Sequence, residues 1–373
     1  MSPAVVRSLQ RLSAFYERYK PSEAEDLYKR TLEATEQKLG ATHPMVAVTL
    51  QGLASVYADQ ERYADAEALL RRALRIYETT WGPEHQAAGA TLTSLALLYQ
   101  RQGAYAEAEP LYRRARAIEE RSWGAGHRIV ALNLTRSAGL QQMRGEYESA
   151  EALYRQALTR MESALGPDHV SLTGVLTGLA GALRQQGKYG LAIQFATRAR
   201  HIVDRTWGAG HPALAAILSD VAALHQAQGN YADAEPLYRS AVAIEERTWG
   251  PRHPAVAARL SRLARFHHVQ GRYADAEPSY WRSLEILETA FGADHPQIAA
   301  SLRDLARIYH VQGKYREAEP LLERLVAIEE KMFGVKHPAL AETLETYAVA
   351  LARTGRAARA AEVSARLEDI RAR

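Results

Sequence analysis

The sequence predicts an all-α solenoid of stacked helix pairs, and three observations carry that expectation. Gly40, Gly82, Gly124, Gly166, Gly208, Gly250, Gly292 and Gly334 recur at a spacing of 42 residues, each followed three positions later by a histidine, from His43 to His337. A strict period of this length marks an array of like supersecondary units. Within a unit the apolar residues fall at helical spacing, as in Val256, Leu260, Leu263 and Ala264. From Gly103 onward a glycine also stands between the helices of each unit, and another follows the second helix of every unit but the last. One helix pair cannot bury its apolar stripe alone, so the pairs must stack.

The stretch Asn230–Gly271 and its continuation give the pattern. From Pro254, the run PAVAARLSRLARFHHVQG forms a first helix, A, which Gly271 ends. Tyr273 opens a second helix, B, lined by Ala276, Tyr280, Leu284 and Leu287 and closed by Phe291-Gly292. A glycine just past the last periodic residue suits a left-handed position where a Cβ would clash. Proline follows the histidine at Pro44, Pro212, Pro254, Pro296 and Pro338. There it sits in the first turn of the next helix, where its missing N–H is not needed. Extended over the chain, the pattern gives nine pairs in a single solenoid, residues 1–373. Their bounds are about 3–39, 44–81, 86–123, 128–165, 170–207, 212–249, 254–291, 296–333 and 338–373. The column Trp81, Trp123, Trp207, Trp249, Phe291 and Phe333, alternating with Leu39 and Leu165, is expected in the core.

Composition narrows the function. A net charge of +4 is too weak to argue for nucleic acid by itself. Cysteine is absent, which removes disulfides, thiolate metal sites and a cysteine nucleophile. The N-terminal MSPAVVRSLQRLSAFYERYK is amphipathic and lacks the apolar core of a signal peptide. No later stretch approaches the roughly 18–20 apolar residues that span a bilayer. The expectation is a soluble, cytoplasmic, monomeric protein without cofactor, metal or membrane partner. Nucleophile elbows, phosphate-cradling loops and His-Glu-x-x-His are missing, so no enzyme is expected. The eight histidines cannot share an ion, because equivalent residues of stacked pairs stand about 10 Å apart. They are expected to cap or pack the turns between pairs.

Leu50, Leu53, Ala54, Tyr57, Ala66, Leu70 and Ala73 match the tetratricopeptide (TPR) signature of small and large residues on two antiparallel helices. Together with the 42-residue period, the phrases YAEAEPLYRRA (105–115), WGPRHPAVAARL (249–260) and QGKYREAEPL (312–321) resemble the kinesin-light-chain type of TPR. That resemblance implies a right-handed superhelix whose A helices line a concave groove for extended peptides. One departure matters: the family's Asn-Asn pair, whose amides can clamp a peptide backbone, is absent. Its positions read Gln51-Gly52, Thr93-Ser94, Thr135-Arg136, Thr177-Gly178, Ser219-Asp220, Ser261-Arg262, Arg303-Asp304 and Glu345-Thr346. Cargo specificity of the kinesin kind is therefore not transferred.

Mapped onto the A helices, the signature places Arg262, Arg265, His268, Arg303, Arg307 and His310 in the groove, with Asp304 the only acid among them. Guanidinium groups grip carboxylates and phosphates bidentately. The cluster reads as a seat for an acidic or carboxylate-bearing peptide of a protein partner, and the histidines would strengthen binding as pH falls towards 6. The alternatives are a phosphate-ligand or nucleic-acid site on the same arginines, a solvated face, or a structural or sensor module of a larger protein. Towards the N-terminus the same face turns small at Gly139, Gly174, Gly178, Gly181, Ala216 and Ala223, and Thr135, Thr177, Gly178 and Gly181 are further candidates for contact with the peptide. Glycines inside a helix cost about 0.5–1 kcal/mol each, which points to close packing, a pocket or a hinge. Trp281, where other units carry arginine, either folds back over Ser279 or offers an exposed contact.

Overall fold

Two kinds of glycine turn set the architecture. The computed structural model describes residues 21–372, and among them lie seventeen α-helices and no strand. The first helix of the expected pair at 3–39, with the stretch weighed as a signal peptide, lies outside the described residues. In chain order the helices of the first half are α1 (Pro21–Leu39), α2 (Pro44–Asp59), α3 (Tyr63–Trp81), α4 (Gln86–Arg101), α5 (Tyr105–Trp123), α6 (Arg128–Met143), α7 (Tyr147–Leu165), α8 (Thr173–Gln185) and α9 (Tyr189–Trp207). There follow α10 (Ala213–Ala227), α11 (Tyr231–Trp249), α12 (Pro254–Val269), α13 (Tyr273–Phe291), α14 (Ala299–Val311), α15 (Tyr315–Phe333), α16 (Ala341–Arg353) and α17 (Ala357–Arg371). Odd-numbered helices are B and even-numbered ones A. A 3-10 turn leads into α8, α14 and α16. Two compact units result, Met1–Phe195 and Ala196–Arg373, divided within α9.

Between A and B, the glycines from Gly103 to Gly355 have φ of 71 to 83°. In the pair α2–α3 the same place is held by Glu61 at φ 60°, a left-handed position that costs a side chain about 1–2 kcal/mol. After B, the glycines differ from the left-handed geometry expected of them. Gly82, Gly124, Gly166, Gly250, Gly292 and Gly334 combine φ of 82 to 96° with ψ of 150 to 161°. The chain leaves the helix extended, in a region open essentially to glycine alone.

The histidines do cap the A helices. At all eight, Nδ1 accepts the backbone N–H two residues on, at 3.1 to 3.3 Å. An imidazole thus does what Ser or Asp usually does at an N-cap, satisfying one orphan donor of the first turn. The aromatic column is not core, contrary to the expectation. Trp81, Trp123, Trp207, Trp249, Phe291 and Phe333 are 39 to 54 % exposed. Each ends its B helix, beyond the buried stripe, and lies against the capping histidine with ring centroids 4.3 to 5.2 Å apart.

Within a pair the helices meet through alanine. Ala66, Ala108, Ala150, Ala234, Ala276 and Ala318 are fully buried, opposite Ala54, Ala96, Ala138, Ala222, Ala264 and Ala306. Leucines and tyrosines fill the space around them, Leu50, Leu53, Tyr57 and Leu70 included. Neighbouring pairs are stapled by charge. On several B helices a glutamate reaches the A–B turn of the next pair, as in Glu25–Arg62 (3.1 Å), Glu151–Lys188 (2.9 Å), Glu235–Arg272 (2.7 Å) and Glu319–Arg356 (2.6 Å). Among the described residues no helix is long and apolar enough to cross a membrane.

Candidate functional site

Three consecutive A helices of the second unit, α12, α14 and α16, hold the site. The periodic burial of Leu263, Leu302, Leu305 and Leu344 fixes which face of each turns inward. It leaves Arg265, Arg303, Asp304, Arg307, Glu342 and Thr343 around one cavity of about 480 Å³. Three of the expected arginines are therefore brought together. Arg262 is not among the lining residues, and it pairs with Asp220 of α10 at 2.7 Å.

Every one of these arginines already carries a carboxylate, and besides Asp304 and Asp220 the acids are Glu329 of a B helix and Glu342 of the next pair. Arg265 Nη2 donates to Asp304 at 3.1 Å and Arg303 Nη2 to Glu329 of α15 at 2.5 Å, while Arg307 pairs with Glu342. The partners differ in depth. Glu329 is buried, its side chain 2 % exposed, and Asp304 nearly so, whereas the Glu342 side chain is 67 % exposed. An exposed pair contributes about 0–1 kcal/mol, so Glu342 is the carboxylate that exchanges most easily.

The two histidines stand apart from the cavity lining. His268 lies edge-on to Tyr273 and Tyr280, and burial pushes its imidazole below the ordinary value against the pull of Asp304. His310 lies edge-on to Tyr315, and its buried Nδ1 has no partner. A neutral His268 adds no charge for an anion at neutral pH. Among the described residues no three His, Asp or Glu side chains are placed to hold a metal.

In the first unit the glycine helix is closely packed where it faces Tyr154. A Cβ on Gly178 would fall 2.5 Å from that ring, and one on Gly181 would fall 3.1 Å from Gln142 Nε2; Gly174 faces open space. The hydroxyls of Thr135 and Thr177 donate to carbonyls of their own helices, at Ala131 (2.8 Å) and Thr173 (3.0 Å). Trp281 does not fold back over Ser279. Its Nε1 donates to Tyr309 Oη at 2.8 Å, and Tyr309 donates to Glu277 at 2.7 Å. The same trio in the first unit is Arg71, Tyr99 and Glu67, with the guanidinium in place of the indole.

Comparison with known proteins bears on the whole chain. The family described as Tetratricopeptide repeat matches residues 13–79, 53–121, 128–205, 171–247, 213–277, 256–331 and 308–373. No curated protein sequence matches significantly. Among solved structures, a putative kinesin light chain with nearly identical TPR-like repeats from Podosopora anserina is 25% identical, with a TM-score of 0.50, over 56% of this chain and 98% of that one. BtubC (BKLC) from P. vanneervenii is 22% identical, with a TM-score of 0.51, over 62% and 91%. A Rap protein complexed with Competence and Sporulation Factor is 14% identical, with a TM-score of 0.53, over 99% and 98%. The last two show likeness of fold alone.

Proposed function

The chain belongs to the tetratricopeptide-repeat family, and from that premise we propose that it is a non-enzymatic scaffold that binds an extended, acidic or carboxylate-bearing peptide of a protein partner. The supporting observation is the convergence of Arg265, Arg303 and Arg307 on one cavity. That three carboxylates of the chain occupy these guanidinium groups supports a carboxylate as the ligand. A peptide carboxylate enters by replacing Glu342 on Arg307. Arg303, held by buried Glu329, keeps its place and supplies field rather than a free fork. Ion pairs already hold the arginines, so less side-chain entropy remains to be lost on binding. Arg262, His268 and His310 act, on this reading, at the margin of the seat, and Thr135, Thr177, Gly178 and Gly181 mark the groove of the first unit.

The test is a random-peptide display selection on the full chain, counter-screened against an Arg265→Glu, Arg307→Glu double variant. Acidic peptides enriched by the wild type and lost by the variant are expected. No acidic enrichment, or peptides indifferent to the two changes, would overturn the proposal.

A further inference from the structure

Where one helix pair meets the next, a residue of helix A faces one on its own B helix and one on the following A helix. The B-helix position is apolar in three units, at Met161, Val203 and Leu287, and polar in the others, in several ways. In the first such junction Tyr77 Oη donates to Gln51 at 3.3 Å, and Gln51 donates to Thr91 at 2.9 Å. In two others the B-helix residue is a buried glutamate met by an arginine. Glu245 receives Arg259 of the following A helix at 3.2 Å, and Glu329 receives Arg303 of its own pair.

Glu119 of α5 is the third glutamate in this column, and both arginine positions are filled otherwise. Thr93 stands where Arg303 does, and Asn133 where Arg259 does. Its Oε1 receives the Thr93 hydroxyl at 3.5 Å, the Asn133 amide is shared with Thr93 at 3.4 Å, and Oε2 has no partner. The residue is 5 % exposed. The groups facing it are Thr93 from α4, Asn133 and Arg136 from α6, and Glu120 on its own helix, which Arg160 of α7 engages. A buried carboxylate without a cation is costly, and the group responds by keeping its proton.

We propose that Glu119 is a proton-operated catch at the junction of α4 and α5 with α6: protonated it holds the junction closed, and ionised it loosens it. Burial raises the carboxyl to about 7, with Arg136, Thr93 and Asn133 pulling weakly the other way. The direction follows from linkage. A folded pKa above the unfolded one means that stability is highest below the unfolded value and falls as pH rises through the folded value. With an unfolded value of 4.5 and a folded value of about 7, opening becomes about tenfold more favourable between pH 6 and pH 8.

The test is hydrogen exchange on the full chain, read by mass spectrometry over residues 86–143 and corrected for intrinsic exchange. Protection in the wild type is expected to fall about tenfold from pH 6 to pH 8. Glu119→Gln, which is neutral throughout, is expected to be flat. Asn133→Arg, which supplies the cation that Arg259 gives Glu245, is expected to flatten the slope while keeping the acid. A flat wild type, or a slope surviving both substitutions, overturns the proposal. If Glu119→Gln does not fold, the Asn133→Arg comparison decides alone.

Discussion

The capping histidines separate two energies that usually travel together. His127 accepts the Ile129 amide at 3.3 Å and stacks on Trp123 with centroids 5.0 Å apart and planes inclined at 19°. His169 accepts the Ser171 amide at 3.1 Å, but Leu165 stands at the column position where Trp123 stacks. Both belong to the first unit. Loss of an N-cap acceptor costs about 1 kcal/mol, and an aromatic stack adds about 0.5–1.5 kcal/mol. His169→Ala should therefore cost about 1 kcal/mol and His127→Ala about 2 kcal/mol. His127→Asn restores an acceptor without the ring and should fall between wild type and alanine. Urea unfolding followed by circular dichroism gives the totals, and exchange of the Ile129 and Ser171 amides gives the local values, which matter because an array need not unfold in one step. Equal costs at the two sites would show that the stacking contributes nothing. An asparagine no better than alanine at His127 would remove the cap itself.

Two further predictions concern the turns. Arg272 and then Arg239 hold the Glu235 carboxyl down to about 2. Its folded value lies below the unfolded one, so its contribution is complete above about pH 4.5 and fades as pH falls towards 2. Glu235→Gln is expected to cost about 2 kcal/mol at pH 7, after allowance for partial exposure, and almost nothing near pH 2. Urea midpoints at the two pH values check this, and an equal cost at both refutes it. Glu61→Gly relieves the one side chain held at positive φ among the described residues, with an expected gain of about 0.5–1 kcal/mol in thermal or urea unfolding.

What the sequence made legible was whatever repeats along one chain direction. The period, the helix bounds and the histidine caps all depend on neighbours within a few residues, and those neighbours recur. The reading faltered where a side chain's partner lies in the next unit. Ser279 stands two residues from Trp281, yet the partner of the indole is Tyr309, 28 residues on. The groove arginines could be placed on one face, but the acids that hold them stand 26 and 35 residues further along, at Glu329 and Glu342. The trio of Glu67, Arg71 and Tyr99 held the clue to Trp281, since the same register returns at Glu277 and Tyr309. Hydrophobicity misled at the tryptophan column, because the last residue of a helix has left the buried stripe and meets only the turn.

The junction column shows what the fold demands there and what it leaves open. Tyr77 with Gln51 is neutral, and Glu329 with Arg303 is an ion pair. Both junctions form, so charge at this position is not what the helix pairs need in order to stack. Buried ion pairs add little net stability, since desolvation offsets attraction, but removal of one partner is expensive. Each junction therefore tolerates its own polar set only while the set is complete. In a chain where every pair meets only its neighbours, an incomplete set stays local in its cost and is not corrected elsewhere. Glu119, with threonine and asparagine in the two arginine positions, is such a set, and a proton is the partner that completes it.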